Sequence, residues 1–142
     1  MALQSTGRTR WEGDLLSGSG MASLDSGAAD PMKVTWKART EEHGGLTSPE
    51  ELIAAAHSSC FSMAFSSGLA KNDTPPTSLD VTATATFVPG EGITTMQLEV
   101  VGDVEGISEE EFQELAAAAK DGCPVSQALA GNVDISIVAR LG

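Results

Sequence analysis

The stretch that most restricts the fold is Ser48-Pro49-Glu50-Glu51, which opens a run free of proline until Pro75. A serine at the N-cap, proline at the first helical position and glutamate at N3 form a capping box, and the two acids complement the positive end of the helix dipole. The run passes through Leu52-Ile53-Ala54-Ala55-Ala56, Cys60, Met63, Ala64 and Phe65 to Leu69-Ala70, about six turns and roughly 34 Å at 1.5 Å per residue. Its small and apolar residues spread around most of the circumference, so the expected helix is buried on nearly every side. A chain of 142 residues has room for one domain, expected over residues 1–142, with this helix at its centre.

The flanking segments read as strands and shorter helices. Residues 8–12 and 21–24 alternate loosely around the Ser17-Gly18-Ser19-Gly20 turn, and residues 33–37 place Val34 on one face with Thr35 and Lys37 on the other. These are expected to be amphipathic strands of an antiparallel sheet. Past the Asp73-Thr74-Pro75-Pro76 turn, residues 79–88 turn Leu79, Val81, Ala83, Ala85 and Phe87 inward, and Pro89-Gly90-Glu91-Gly92 leads back through residues 93–104 as a hairpin. Ser108-Glu109-Glu110-Glu111 is a second capping box, opening a helix that runs to Lys120 and stops at Gly122. Cys123-Pro124 opens a further short helix, and residues 133–138 close the order β-β-β-α-β-β-α-α-β. The layout is α+β.

Charge narrows the partners. Eight basic against 20 acidic residues give −12, which argues against nucleic acid, whose phosphates demand clustered Lys and Arg, and against an anionic membrane face. No stretch reaches about 18 consecutive apolar residues, and MALQSTGRTRWEGD lacks the apolar core of a secretory signal. Hydrophobic residues make up 41% but aromatics only 4%, so a core built on Ala, Val, Leu and Ile is expected to lean on a partner subunit. The two cysteines, Cys60 and Cys123, fit a reducing, cytoplasmic setting in which they are either chemical or simply buried. No phosphate loop, dinucleotide fingerprint or nucleophile elbow is present, and no cofactor is expected.

Cys60 lies mid-helix, beyond reach of the dipole that activates a thiol in a first turn; a buried hydrophobe is its plain reading. His57, three residues earlier on the same face, is placed either to act as a base or to serve as a hydrogen-bonded structural residue. Cys123 takes the N-cap position of the short helix, where backbone N–H groups favour a thiolate and where Ser, Asp or Asn would cap better. A metal site drawn from His43, His57, Cys60 and Cys123 lacks any of the usual ligand spacings.

Taken together, Ser48-Pro49-Glu50-Glu51-Leu52-Ile53-Ala54-Ala55-Ala56-His57-Ser58-Ser59-Cys60-Phe61-Ser62-Met63-Ala64 resembles the central-helix motif of the OsmC family of peroxiredoxin-like proteins, and Gly122-Cys123-Pro124-Val125-Ser126-Gln127-Ala128-Leu129 resembles its second cysteine motif. Trp11-Glu12-Gly13-Asp14 and Lys37-Ala38-Arg39-Thr40 are similar to the family's opening strands. The resemblance implies antiparallel sheets wrapped around a long central helix in an intertwined homodimer, and thiol peroxidase activity against organic hydroperoxides. It implies that Cys60 is the peroxidatic residue, that Cys123 resolves its sulfenic acid to a Cys60–Cys123 disulfide, and that an external dithiol reduces that disulfide.

The family's arginine and glutamate fall on Arg39 and Glu50, with Arg8 and Arg10 as fallback candidates. Residues 13–20 hold no arginine, which sides with the OsmC branch rather than the organic hydroperoxide resistance branch. In those roles Arg39 would lower the pKa of Cys60, and Glu50 would grip the guanidinium in a bidentate pair. Ten residues of one helix, about 15 Å, separate Glu50 from Cys60, so the Arg39 and Glu50 serving a given Cys60 are expected wholly or partly from the other subunit. Leu52, Ile53, Phe61 and Met63 are expected to line an apolar pocket. Two other classes stand beside the enzyme: a non-enzymatic OsmC-fold binder or oxidant sensor, and a protein with a permanent structural disulfide.

Overall fold

The computed structural model describes all of Met1–Gly142, as two compact units, Met1–Leu52 and Ile53–Gly142. In the first unit, β1 (Gly7–Glu12), β2 (Ser19–Leu24) and β3 (Met32–Val34) form an antiparallel sheet in that order. Asp14 builds the β1–β2 turn by accepting from the N–H groups of Leu16 and Ser17, both at 2.9 Å. Gly18 is required there, because a Cβ would strike the backbone oxygens of Asp14 and Glu12. All of β1 is exposed.

The third strand stops short of the expected one. Thr35 leaves the sheet to cap α1 (Trp36–Thr40), its hydroxyl accepting from the N–H of Ala38 at 3.1 Å. A run of five alternating residues is too short for its period to decide between strand and helix. Next, α2 (Pro49–Lys71) begins as its capping box requires, with the N–H of Glu51 donating to the Ser48 hydroxyl at 3.1 Å.

The second unit holds the rest of α2, β4 (Ser78–Val88), β5 (Gly92–Asp103), α3 (Glu109–Gly122), α4 (Pro124–Leu129) and β6 (Asp134–Leu141). β4 alternates as the sequence indicates, with Leu79, Val81, Ala83, Ala85 and Phe87 on the half-buried side. β5 is the central strand, burying Met96, Leu98 and Val100. One strand pairing departs from expectation: β4 and β5 are antiparallel, but β6 runs parallel to β5, so this sheet is mixed rather than antiparallel. The cause is the connection, since α3 and α4 intervene and carry the chain back to the starting end of β5.

The core of this unit forms where α2 and α3 meet the sheet. Phe61, Phe65 and Leu69 of α2 pack with Leu98, Val100, Phe112 and Ala116, and the ring of Phe65 lies 5.5 Å from Phe61 and 4.9 Å from Phe112. By length and composition α2 is apolar enough to cross a bilayer, with a mean hydropathy of 1.2, yet its inner face is this core. Burial on nearly every side is not met in the single chain: Ala55, Ala56, Ser59, Met63, Ser67 and Ala70 stand open on the opposite face.

Gly102 of β5 underlies the Phe112 ring, where an added Cβ would stand 2.6 Å from the ring's Cζ. Gly102→Ala should therefore overpack the core and cost about 1–3 kcal/mol, read as a lower Tm in thermal unfolding followed by circular dichroism. An unchanged Tm would show that the ring has room to retreat.

Candidate active site

In the first unit, the last turn of α1 and the first turn of α2 bring Arg39 onto Glu50. Nε and one terminal nitrogen of the guanidinium donate to the same carboxylate oxygen, Oε1, at 2.9 and 2.7 Å. The bidentate grip is thus made by two nitrogens on one oxygen, instead of two on two. Glu50 Oε2 is buried and has no hydrogen-bond partner. The Glu50 side chain is only 7% exposed against 31% for Arg39, so the carboxylate is the more deeply buried partner of the pair.

Trp36, one turn earlier on α1, holds its ring 5.9 Å from the Arg39 carbon in a cation–π contact. A cavity of about 100 Å³ opens beside Arg39, lined by Trp11, Leu15, Val34, Thr35, Trp36 and Pro49. Sequence reading placed Trp36 in a strand and Leu15 nowhere. The signal that could have found Trp36 was its i, i+3 spacing to Arg39 behind the capping residue Thr35.

In the second unit, the middle of α2 meets the start of α4. Cys60 and Cys123 are both free thiols, Cys123 fully buried and Cys60 partly so, in the same core cluster. Their surroundings push them apart. Burial raises the Cys60 thiol; the Val125 N–H offsets this in part, and the Cys123 sulfur adds to the rise. Burial also acts to raise Cys123, but the Ser126 N–H, the Cys60 thiol, the Ser126 hydroxyl and the Val125 N–H outweigh it, and its pKa falls below the ordinary thiol value. Cys123 is the N-cap residue of α4, as its sequence position indicates, although its side chain makes no capping hydrogen bond.

His57 is completely buried and lies 2.7 Å from the Ser126 hydroxyl through Nε2, while its Nδ1 has no partner. Burial alone lowers its pKa, so the ring is held neutral. Sequence reading singled out His57 and left Ser126 unremarked, because the pair is 69 positions apart and no local pattern joins it.

The other candidates go elsewhere. Arg8 is tied to both oxygens of Asp25 at 2.8 and 2.9 Å, and Arg10 to Glu12, all of them exposed. Phe61 is fully buried in the core, whereas Met63 is 73% exposed. Ile53 packs against the small cluster of Ala54, Met96 and Val133. No group of three or more His, Cys, Asp or Glu side chains is placed to hold a metal ion.

Comparison with known proteins gives concordant matches. The model of a family described as OsmC-like protein matches residues 42–138. Peroxiredoxin OsmC of Escherichia coli (strain K12) is 38% identical over 138 residues, covering 95% of this chain and 96% of that protein. Organic hydroperoxide resistance protein OhrA of Bacillus subtilis (strain 168) is 30% identical over 128 residues, covering 89% and 86%. Among solved structures, one from Legionella pneumophila, called an organic hydroperoxide resistance protein OsmC, superposes with a TM-score of 0.74 at 24% identity, covering 99% of both chains.

Proposed function

The chain belongs to the OsmC family, and from that premise we propose that it is a thiol-dependent peroxidase reducing organic hydroperoxides to alcohols in stress defence. The observation that carries the reading is the placing of two free thiols, distant in sequence, in one buried cluster. The Cys60 thiolate attacks the outer oxygen of the hydroperoxide, the O–O bond breaks, and the departing alkoxide takes a proton to leave as alcohol. Cys60 is then a sulfenic acid, which Cys123 converts to a disulfide with loss of water, and an external dithiol reduces the disulfide. The cycle starts from the reduced thiols that a cytoplasm maintains.

Burial raises Cys60, and no cation acts on it in its own unit. The peroxide step needs a positive charge there, and Arg39, gripped by Glu50, is the group built to supply one. Since about 15 Å of helix separates Glu50 from Cys60, the reading assigns the Arg39–Glu50 pair at each Cys60 to a second copy in a homodimer. The open face of α2 and the fully exposed β1 support such a partner. The cavity beside Arg39, walled by Trp11, Leu15 and Trp36, suits an alkyl substituent, and the partnerless Glu50 Oε2 suits the hydroperoxide O–H as donor.

The test is mass spectrometry of protein treated with one equivalent of tert-butyl hydroperoxide, together with peroxide turnover under excess dithiol. The expected result is a Cys60–Cys123 crosslink and sustained consumption. A crosslink without turnover would make the protein an oxidant sensor, and neither would leave a fold-level binder.

A further inference from the structure

The chain has two tryptophans, and both line the cavity beside Arg39. Trp11 is anchored to the β1–β2 turn, its indole N–H donating to the Gly13 carbonyl at 2.9 Å. Trp36 is tied to the cation instead. Thr35 caps α1 in front of it, the Thr40 hydroxyl donates to its carbonyl at 2.9 Å, and its ring lies 5.9 Å from the Arg39 guanidinium carbon. All of these residues, with Glu50, belong to the unit Met1–Leu52.

Glu50 and Trp36 constrain the guanidinium in different ways. A carboxylate that takes two donors on two oxygens lies in the plane of the guanidinium and sets its orientation. Here Nε and one terminal nitrogen converge on Oε1 alone, at 2.9 and 2.7 Å. Glu50 therefore fixes a point on the guanidinium edge but not the tilt of its plane. An indole attracts a cation across its face, and the i, i+3 spacing on α1 brings that face to Arg39. Arg39 is the only charged residue lining the cavity. The other cation of α1, Lys37, pairs with Glu42 at 3.7 Å.

We propose that Trp36 is a positioning residue for the peroxide reaction: its indole face sets the tilt of the Arg39 guanidinium, and so the direction in which that cation presents its charge to the Cys60 sulfur and the hydroperoxide. Glu50 holds the guanidinium in place and Trp36 aims it. A guanidinium at the wrong tilt keeps its charge and its carboxylate but stabilises the thiolate less, because the attraction falls with distance.

This role rests on the proposed reading of Arg39, so Arg39→Ala is measured beside the Trp36 variants and the two can fail separately. The readouts are kcat/KM for tert-butyl hydroperoxide, from about pH 6 to pH 9, and alkylation of Cys60 by iodoacetamide in the Cys123→Ser background. Alkylation makes no use of a seat for the alkyl group, so it separates aiming the cation from walling the cavity. Trp36→Leu should lower both rates about tenfold at pH 7 and move both pH profiles upward. Trp36→Phe, which keeps a ring face of weaker pull, should stay within about threefold of the native rates. Tryptophan analogues of increasing fluorination placed at position 36 keep the shape of the ring and weaken its face, and both rates at pH 7 should fall stepwise along that series. Should Trp36→Leu fail to fold, the fluorinated series carries the test. Native alkylation profiles in the Trp36 variants, while Arg39→Ala shifts its own, overturn this inference alone and leave Trp36 as a wall. An unshifted profile in Arg39→Ala overturns the reading of Arg39 and this inference with it.

Discussion

Cys60→Ser should abolish hydroperoxide consumption, lowering kcat/KM by at least about 10³-fold, while the protein stays folded. Sulfur is both more acidic and more nucleophilic than a hydroxyl oxygen, and no other thiol faces the peroxide in the proposed cycle. The folded state should tolerate the change, because serine keeps the shape of a side chain that is only partly buried. Cys123→Ser is the informative contrast. It should reduce one equivalent of peroxide and then stall with sulfenic acid at Cys60, since only the second half of the cycle is lost. A peroxide assay at one and at fifty equivalents distinguishes the two variants. Activity retained in Cys60→Ser would end the peroxidase mechanism proposed for this residue.

Arg39→Ala should carry the second-largest effect, and on two observables at once. It strips the Glu50 carboxylate, 7% exposed, of both its hydrogen-bond donors. Removing one partner of a well-buried ion pair costs about 3–5 kcal/mol; Arg39 is 31% exposed, which places the expected loss near the lower end, about 3 kcal/mol. Activity near pH 7 should fall by about 10²-fold or more. Burial raises the Cys60 thiol, so without the guanidinium the rate should climb only at higher pH, as the thiolate forms unaided. Arg39→Ala combined with Glu50→Gln should recover much of the Tm but none of the rate. Recovery of both would reduce Arg39 to a structural partner of Glu50.

The parts legible in the sequence were those written in local chemistry. Two capping boxes located α2 and α3, proline and cysteine located α4, and strict alternation over residues 79–88 located β4 and its inward face. The parts that escaped depend on what lies far along the chain. Thr35 reads equally as a strand residue or a cap until the N–H of Ala38 is seen to reach it. The direction of β6 is invisible because its alternation is the same whichever way it runs. Phe61 and Met63 stand two positions apart on a helix whose apolar content covers most of its surface, so composition gave no hint that one is core and the other open. Within the candidate site, Cys60, Cys123, Arg39 and Glu50 came from the family motifs, and the structure groups them as two pairs. Ser126 and the tryptophan beside Arg39 came only from the coordinates.

The parallel seam of the mixed sheet also has a consequence for biosynthesis. Each β5 residue from Thr95 to Gly102 meets a mate 39 positions further on, Thr95 with Asp134 for example, so the hairpin is complete on the ribosome well before its other margin is covered. For that interval a nascent chain displays a row of bare amides and carbonyls alongside Leu98 and Val100, a template another nascent chain can copy. Quick docking of residues 134–141 then protects against clumping, and ribosome stalling before residues 134–141 have emerged is the point at which polysomes making this protein are most exposed to it.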